Sequence, residues 1–272
     1  MTPNGRHPAA RRLTIQRKLL LDGTATVEDL ALELDVSVAT IRRDLAQMEE
    51  EGMIRRTHGG AVIRAPRGAD QAFGMREQID SEAKRAIARA AATLIQPDQT
   101  ILMNDGSTVL ALAREMVAAQ MPLTVATPGV NVATALSECT AISAYLLGGR
   151  VRHQTLGTSG HYAEEMLRSF NADIAFIAAE GFSQAEGLTF SYEADAALAR
   201  LMRERATTAV VLATTRKLHQ RDRITALNLT RIDILVTDCD DTALLTSISA
   251  TGIRILRTDG QATPDPIKER IP

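Results

Sequence analysis

Seven short apolar runs, separated by stretches of helical length, occupy the chain beyond residue 77 and constrain its fold more than any other feature. Most of the runs are apolar throughout, which is typical of strands that are buried on both faces of a parallel sheet. The intervening helices supply the crossovers that parallel strands require. The runs cover residues 100–103, 123–127, 142–147, 174–179, 209–213, 232–237 and 253–257. The sequence therefore predicts an α/β fold with a Rossmann-like sheet, whose ligands lie beyond the carboxyl ends of the strands.

The chain before this alternation has a different pattern, which predicts three helices and a hairpin. The segment from Thr26 to Asp29 reads as a capping box for the second helix, and Ser37 can cap a third helix that extends to about residue 51. The apolar residues of the third helix share one face, formed by Val38, Ile41, Leu45 and Met48. Two β-prone runs around a glycine turn follow in residues 53–63. This order is that of a winged helix-turn-helix, whose recognition helix enters the major groove of DNA.

The cap of the third helix, residues on the face opposite its apolar stripe and basic residues of the hairpin are the candidate DNA contacts. They are Ser37, Ala39, Thr40, Arg42 and Arg43 on the helix, and Arg55, Arg56 and His58 on the hairpin. Arginine can bind guanine bidentately or neutralise a phosphate. The alternative is a protein-interaction, dimerisation or RNA-binding module. Because residues 1–63 contain no Phe, Tyr or Trp, the stacking on which RNA recognition usually relies is disfavoured.

The two patterns predict two domains that differ in charge. We expect a DNA-binding domain at residues 1–65, a linker at 66–76 that contains Pro66 and Gly68, and an effector-binding domain at 77–272. Up to Arg76 there are 12 Lys and Arg against 10 Asp and Glu, whereas the remainder has 19 against 23. Such an asymmetry suggests that the two parts have different partners.

Three loops that follow predicted strands are candidates for an anion site. Asn104, Asp105, Gly106, Ser107 and Thr108 lead from the first strand into a helix, where backbone N–H groups and hydroxyls could hold a phosphate. The same residues could simply cap the helix, and the motif alone does not decide between these roles. The other two loops contain Gly148 and Gly149 after the third run and Lys217 after the fifth, and Glu180 directly follows the fourth run.

Other classes of function have little support in the residues. No His or Cys stands at metal-ligand spacing, no Walker A or GxSxG motif is present, and no carboxylate has a clear catalytic partner. We therefore expect no metal, no cofactor and no catalytic residue. No apolar run approaches the ~20 residues of a membrane span, and no secretory signal opens the chain. A cytoplasmic protein that does not contact a membrane is the expectation.

Beyond these patterns, the sequence resembles the DeoR-type family of bacterial transcriptional regulators of sugar metabolism. The N-terminal resemblance rests on residues 36–45 and 50–62. The C-terminal resemblance rests on residues 82–88, 105–108, 146–149, 172–176 and 187–189, and on Thr155, Gly160 and Lys217. It implies a C-terminal domain similar to the ribose-5-phosphate isomerase fold that binds a phosphorylated sugar and thereby controls DNA binding. The chain departs from the family pattern at Asn104, where Asp is usual, and at Thr127-Pro-Gly129, where Thr-Asn-Ser is common.

The residues and the resemblance together predict a sequence-specific regulator, most simply a repressor of a sugar operon that a phosphorylated metabolite releases from double-stranded operator DNA. Operator symmetry makes a homodimer or homotetramer the expectation. The predicted effector site contains Asn104, Asp105, Gly106, Ser107, Thr108, Thr127, Gly148, Gly149, Thr155, Glu180 and Lys217. The alternative is a sugar-phosphate isomerase-like enzyme on the same scaffold, which would leave the winged domain without a role.

Overall fold

A computed structural model describes residues 8–22, 24–51, 53–57, 59–63, 73–152 and 154–260. The chain divides into an N-terminal unit, Met1–Arg67, and a C-terminal unit, Gly68–Pro272. No helix in the described ranges is long and apolar enough to cross a membrane.

The N-terminal unit contains the helices and hairpin that its sequence predicts. Its elements are α1 (Pro8–Asp22), β1 (Thr24–Thr26), α2 (Val27–Glu33), α3 (Val38–Glu50), β2 (Ile54–Thr57) and β3 (Gly60–Ile63). Both predicted caps form, because the Thr26 side chain accepts a hydrogen bond from the Asp29 N–H and the Ser37 side chain accepts one from the Thr40 N–H. The strand β1 was not predicted. It extends the hairpin to a sheet of order β1-β3-β2.

The apolar stripe of α3 forms the centre of the N-terminal core. Ile41, Leu45 and Met48 are fully buried, and they pack with residues of α1, α2 and the small sheet. The charged residues of α3 are on the other faces, with the exception of Asp44, which is also buried. The predicted amphipathic helix is therefore confirmed.

The C-terminal unit is built on a parallel sheet of seven strands. They are β4 (Thr100–Met103), β5 (Leu123–Thr127), β6 (Ile142–Leu146), β9 (Ala172–Ala178), β12 (Ala206–Ala213), β14 (Ile234–Thr237) and β15 (Arg254–Arg257). Each of the seven predicted runs forms one of these strands, and the order across the sheet is β15-β14-β12-β9-β4-β5-β6. Two large apolar clusters flank the sheet, which explains why the runs lack polar alternation.

Helices connect the strands and cover the sheet. They are α4 (Phe73–Gln78), α5 (Ser81–Ala92), α6 (Ser107–Ala119), α7 (Val130–Leu136), α8 (His161–Arg168), α9 (Glu193–Arg205) and α10 (Thr242–Ser249). The sequence patterns did not predict an antiparallel sheet of β10 (Gly181–Ser183), β11 (Gly187–Phe190) and β13 (Ile224–Leu227), nor the hairpin of β7 (Arg150–Arg152) and β8 (Gly157–Ser159). The predicted fold class, a winged helix-turn-helix joined to a Rossmann-like α/β domain, is confirmed.

The predicted linker at residues 66–76 requires a correction at its C-terminal end. Residues 66–72 lie outside the described ranges, but residues 73–76 belong to α4. The helix forms there because Phe73 is buried in one of the two clusters that flank the parallel sheet. Its last residues are therefore part of the C-terminal unit.

Candidate functional site

The residues of α3 that were predicted to contact DNA lie in its N-terminal half. Ser37 caps the helix, and its hydroxyl lies 2.9 Å from that of Thr40. Ala39, Arg42 and Arg43 are exposed, on the side of the helix away from its buried stripe. A helix N-terminus with free arginines beside it has the composition of a recognition helix.

Arg11 and Arg12 are adjacent basic residues, yet both are bound to α3. The Arg11 Nε donates to Asp44 Oδ2 at 2.5 Å and its Nη2 donates to Oδ1 at 3.2 Å. Both side chains of this pair are less than one-tenth exposed. Arg12 donates to the Gln47 side chain at 2.7 Å, at the surface. These two arginines therefore position α3 within its unit.

The hairpin β2–β3 is also anchored on α3. The Arg56 backbone N–H donates to the Glu49 carboxylate at 2.9 Å, while the Arg56 side chain is exposed. Arg55 belongs to the same strand, and the placement of its side chain is outside what the structure describes. His58, the third residue predicted on the hairpin, lies outside the described residues.

In the C-terminal unit, a pocket opens where the order of the parallel strands reverses. The chain runs from β4 through β5 to β6 on one side, and then continues with β9 on the other side of β4. Such a switch point leaves a crevice at the carboxyl ends of the two central strands. The pocket is lined by the loop after β4, the end of β9, the turn after β12 and residues of α4 and α5.

The predicted residues Asn104, Asp105, Gly106, Ser107, Thr108, Glu180 and Lys217 all line this pocket. Asn104 joins the two central strand ends, since its Nδ2 donates to the Ala178 carbonyl at 3.1 Å and its Oδ1 accepts from the Ala178 N–H at 2.9 Å. Gly106 is the N-cap of α6 and has no side chain to bind the N–H groups of the first turn. The first N–H groups of a helix have no partner within it and carry its positive dipole end.

Four cationic side chains line the same pocket as this helix end: Arg76, Lys84, Arg216 and Lys217. Burial, together with the neighbouring Arg216, lowers the pKa of Lys217 to about 8. Burial lowers the pKa of Lys84 to about 8 as well, against the attraction of Asp80. Because these cations repel one another out of water, an anion among them would be stabilised.

Arg76 is the least satisfied of the four cations. Its Nε and Nη2 atoms are buried and have no hydrogen-bond partner among the described residues. Its guanidinium carbon lies 5.4 Å from the centre of the Phe73 ring. A buried guanidinium nitrogen without a hydrogen-bond partner destabilises the folded state. A bound anion could supply the acceptor that the described residues do not.

Carboxylates form the other part of the pocket lining. Glu180 accepts a hydrogen bond from the Ser191 N–H at 2.8 Å, and burial raises the pKa of Glu180 to about 7. Asp105 lies 4.0 Å from Arg152 Nη2, which also donates to both oxygens of Asp195 at 2.6 Å. Asp105 and Glu180 could therefore accept hydrogen bonds from hydroxyl groups of a ligand.

Four predicted effector residues do not line this pocket. The Thr127 hydroxyl donates to the Asn104 carbonyl at 3.3 Å, so it stabilises the loop after β4 without lining the pocket. Gly148 and Gly149 form the turn before β7, where Gly149 has φ of +133° and packs against the Ser159 backbone. Thr155 is buried and accepts a hydrogen bond from the Gly157 N–H at 3.2 Å, within the turn from β7 to β8.

Sequence reasoning missed three of the pocket cations, Arg76, Lys84 and Arg216. Arg76 fell in the predicted linker. Lys84 belongs to a helical stretch that carried the family resemblance, and Arg216 immediately precedes Lys217. Arg216 also forms an ion pair with Asp80 at 2.8 Å. Within the described ranges, no group of His, Cys, Asp and Glu side chains could hold a metal ion.

Comparisons with known proteins match both units. A family model for a DeoR-like helix-turn-helix domain matches residues 11–67, and one for a DeoR C terminal sensor domain matches residues 79–239. The chain is 36% identical to the HTH-type transcriptional regulator GolR of Listeria innocua, over 85% of this chain and 91% of that protein. It is 33% identical to the HTH-type transcriptional repressor GlcR of Bacillus subtilis, over 86% and 90%. A D-ribose-5-phosphate isomerase structure in complex with phospho-erythronic acid is similar over 51% of this chain and 54% of that chain, with 19% identity and a TM-score of 0.38.

Proposed function

Because the chain belongs to the DeoR family of DNA-binding transcriptional regulators, we propose that it is a repressor of a carbohydrate operon that a phosphorylated metabolite releases from its operator. DNA recognition is assigned to α3, with Thr40, Arg42 and Arg43 at base edges or phosphates. Arg55, Arg56 and His58 of the hairpin are assigned to phosphate contacts. The C-terminal pocket is assigned to the effector, as a sensor site without catalysis, in a homodimer or homotetramer.

The observation that carries the effector assignment is the pair of buried Arg76 nitrogens, Nε and Nη2, that have no hydrogen-bond partner among the described residues and share a pocket with an uncapped helix end. The N-terminus of α6, the Ser107 hydroxyl and the three further cations line the same pocket. A phosphate dianion accepts several hydrogen bonds and prefers both helix N-termini and arginine forks. The C-terminal part of the chain has more acidic than basic residues, so this concentration of positive charge is local.

The effector assignment is tested with a thermal-shift screen of the full chain against ribose 5-phosphate, fructose 6-phosphate, inorganic phosphate and the unphosphorylated sugars. A ligand at 100 times its dissociation constant stabilises the folded state by about 2.7 kcal/mol. We expect shifts from the phosphorylated compounds only, and their loss in Lys217→Ala. Arg85→Ala, which removes an exposed arginine on α5, is the matched control. Equal shifts from an unphosphorylated sugar and its phosphate would show that the anion assignment is wrong.

The DNA assignment is tested by replacing Arg42 and Arg43 with Ala. Both side chains are exposed, so the unfolding transition should not change. Binding to an operator selected from random DNA should weaken by several kcal/mol, about 1 to 3 for each lost base contact, and the salt dependence should become shallower. The control is the double variant Arg85→Ala and Arg89→Ala, which removes the same number of positive charges from the C-terminal unit. If both double variants bind the operator alike, α3 is not the recognition helix.

The sensor assignment is tested separately from ligand binding. The two relatives of 33% and 36% identity named above are a transcriptional regulator and a transcriptional repressor, which favours a sensor over a sugar-phosphate isomerase. Incubation of the protein with ribose 5-phosphate or fructose 6-phosphate should leave the sugar phosphate unchanged. Formation of an isomeric sugar phosphate that requires Glu180 would instead assign the pocket to catalysis.

A further inference from the structure

Arg76, one of the cations that line the pocket, belongs to α4, the first helix of the C-terminal unit in sequence. The last strand of the hairpin, β3, ends at Ile63, and α4 begins at Phe73. Only residues 64–72 separate the two elements in the sequence. A change in the position of α4 therefore acts directly on the covalent connection between the two units.

The helix α4 is short and weakly embedded. It has six residues, of which Phe73 is the buried one. Elements with few buried apolar contacts shift at low free-energy cost. Among the described elements that line the pocket, α4 is thus well suited to adopt a second position.

Two of the hydrogen bonds that hold α4 in place come from the anion pocket itself, in addition to an ion pair between Glu77 and Arg114 of α6 at 2.7 Å. The Arg76 carbonyl accepts a hydrogen bond from the Ser107 hydroxyl at 3.3 Å, and the Lys84 ammonium donates to the same carbonyl. Ser107 is the first residue of α6, and Lys84 lines the pocket. An anion that attracts the Ser107 hydroxyl or the Lys84 ammonium therefore competes for the groups that fix the backbone of α4.

Anion binding would weaken the bonds to the Arg76 backbone, but it would add bonds to the Arg76 side chain. Its buried Nε and Nη2 have no acceptor among the described residues, so they can gain hydrogen bonds when an anion is bound. A ligand shifts an equilibrium only through contacts that differ between the two states. Binding at Arg76 supplies such a difference, because the same residue loses backbone bonds and gains side-chain bonds.

We propose that Arg76 couples the pocket to the DNA-binding unit: the effector anion binds its guanidinium, repositions α4 and thereby weakens operator binding. This inference rests on the proposed anion site. Lys217 serves as the contrast, because it follows β12 and lies 154 residues beyond Ile63, the last residue of the hairpin. Lys217 contributes to affinity for the anion and Arg76 contributes to affinity and coupling.

The test measures coupling directly, as the ratio of two dissociation constants for the same anion. The anion that gives the largest shift in the screen, from ribose 5-phosphate, fructose 6-phosphate and inorganic phosphate, is titrated against the full chain with and without operator. Sodium chloride keeps the ionic strength constant. Because linkage is reciprocal, an anion that releases the operator binds the operator complex more weakly, typically by 5- to 150-fold. This ratio is the wild-type reference.

Two matched variants separate affinity from coupling. Lys217→Met should weaken anion binding roughly 10- to 100-fold, with and without operator alike, and so keep the wild-type ratio. Arg76→Met retains the side-chain stem over Phe73 and should lower the ratio to about 1. Arg76→Lys, which retains the charge but not the planar fork, should give an intermediate ratio and shows that a loss in Arg76→Met is not caused by misfolding.

The outcomes distinguish the coupling from the site itself. A wild-type ratio in Arg76→Met overturns the coupling and leaves the anion site intact. A ratio near 1 in Lys217→Met also overturns it, because coupling would then be a property of the whole pocket. If no anion binds the wild-type chain, the proposed effector site is wrong and the coupling is rejected with it.

Discussion

The buried ion pair between Arg11 and Asp44 gives the sharpest prediction for stability. Asp44→Ala leaves a guanidinium that is 7% exposed without its carboxylate. Arg11 stays charged in the variant, because the intrinsic pKa of a guanidinium is too high for burial to deprotonate it. Removal of one partner of a buried pair costs about 3 to 5 kcal/mol. A folding unit of some 70 residues is stable by only about 3 to 10 kcal/mol, so much of its stability is lost.

Hydrogen exchange measured by mass spectrometry on the full chain can isolate this effect. A loss of 3 to 5 kcal/mol should accelerate the slowest amides of α3 roughly 10²- to 10⁴-fold, while amides of the parallel sheet are unchanged. The control is Arg12→Ala, which removes an exposed hydrogen bond to Gln47 and should change exchange less than about fivefold.

An apolar replacement of the whole pair provides the second control. Arg11→Met combined with Asp44→Leu should recover most of the protection, because a well-packed apolar pair avoids the unpaired buried charge. If Asp44→Ala accelerates exchange in α3 no more than Arg12→Ala does, the pair does not stabilise the N-terminal unit and the reasoning is refuted.

Three further predictions concern the pocket. Because burial lowers the pKa of both Lys217 and Lys84 to about 8, affinity for a phosphate dianion should be full near pH 7 and fall by at least about tenfold by pH 9; Lys217→Arg, which stays charged, should make this dependence shallower in a calorimetric titration, and Lys84 should account for the remainder. Asn104→Asp replaces a donor with a carboxylate that faces the Ala178 carbonyl, so chemical denaturation should show a loss of about 1 to 3 kcal/mol, and an unchanged midpoint would count against the bridge between strands. In Gly157→Ala the new Cβ would lie 2.1 Å from an Asp105 oxygen, so Asp105 must move and anion affinity should change, whereas Gly148→Ala, which meets nothing within 4 Å, should leave it unaltered.

The elements that could be predicted from the sequence are strands that are buried on both faces and helix ends that are fixed by hydrogen bonds between nearby residues. The strands of the parallel sheet are apolar on both faces, so their positions are visible without knowledge of their neighbours. The caps at Thr26 and Ser37 are bonds between residues three apart and need no tertiary contact. The strands β10, β11 and β13 are three to four residues long and alternate little, and β10 and β11 begin with glycine, so little in their composition separates them from loops.

The lining of the pocket beside β4 and β9 was predicted only in part, because strand order is a tertiary property. Loops after β4 and β12 were correctly expected at one edge of the sheet, but the sequence does not say which strands are neighbours. The pocket forms between β4 and β9, whereas Gly148 and Gly149 follow β6, two strands away from β4 on the other side. Neighbouring strands are about 4.8 Å apart, which places that turn roughly 10 Å from the pocket strand. Arg76 was missed because its role depends on contacts with Phe73, Ser107 and Lys84, and not on a local pattern.

Asn104 illustrates how a departure from the family pattern acquires a physical meaning in this structure. A carboxamide can donate and accept at once, and Asn104 uses both capacities on the backbone of Ala178. A carboxylate in the same place could only accept, and would face a carbonyl oxygen. The Asn104 side chain is thus committed to joining the ends of β4 and β9. In the effector site proposed here, hydrogen bonds to the uncharged part of the ligand are then expected from Asp105 and Glu180, whose carboxylates also line the pocket.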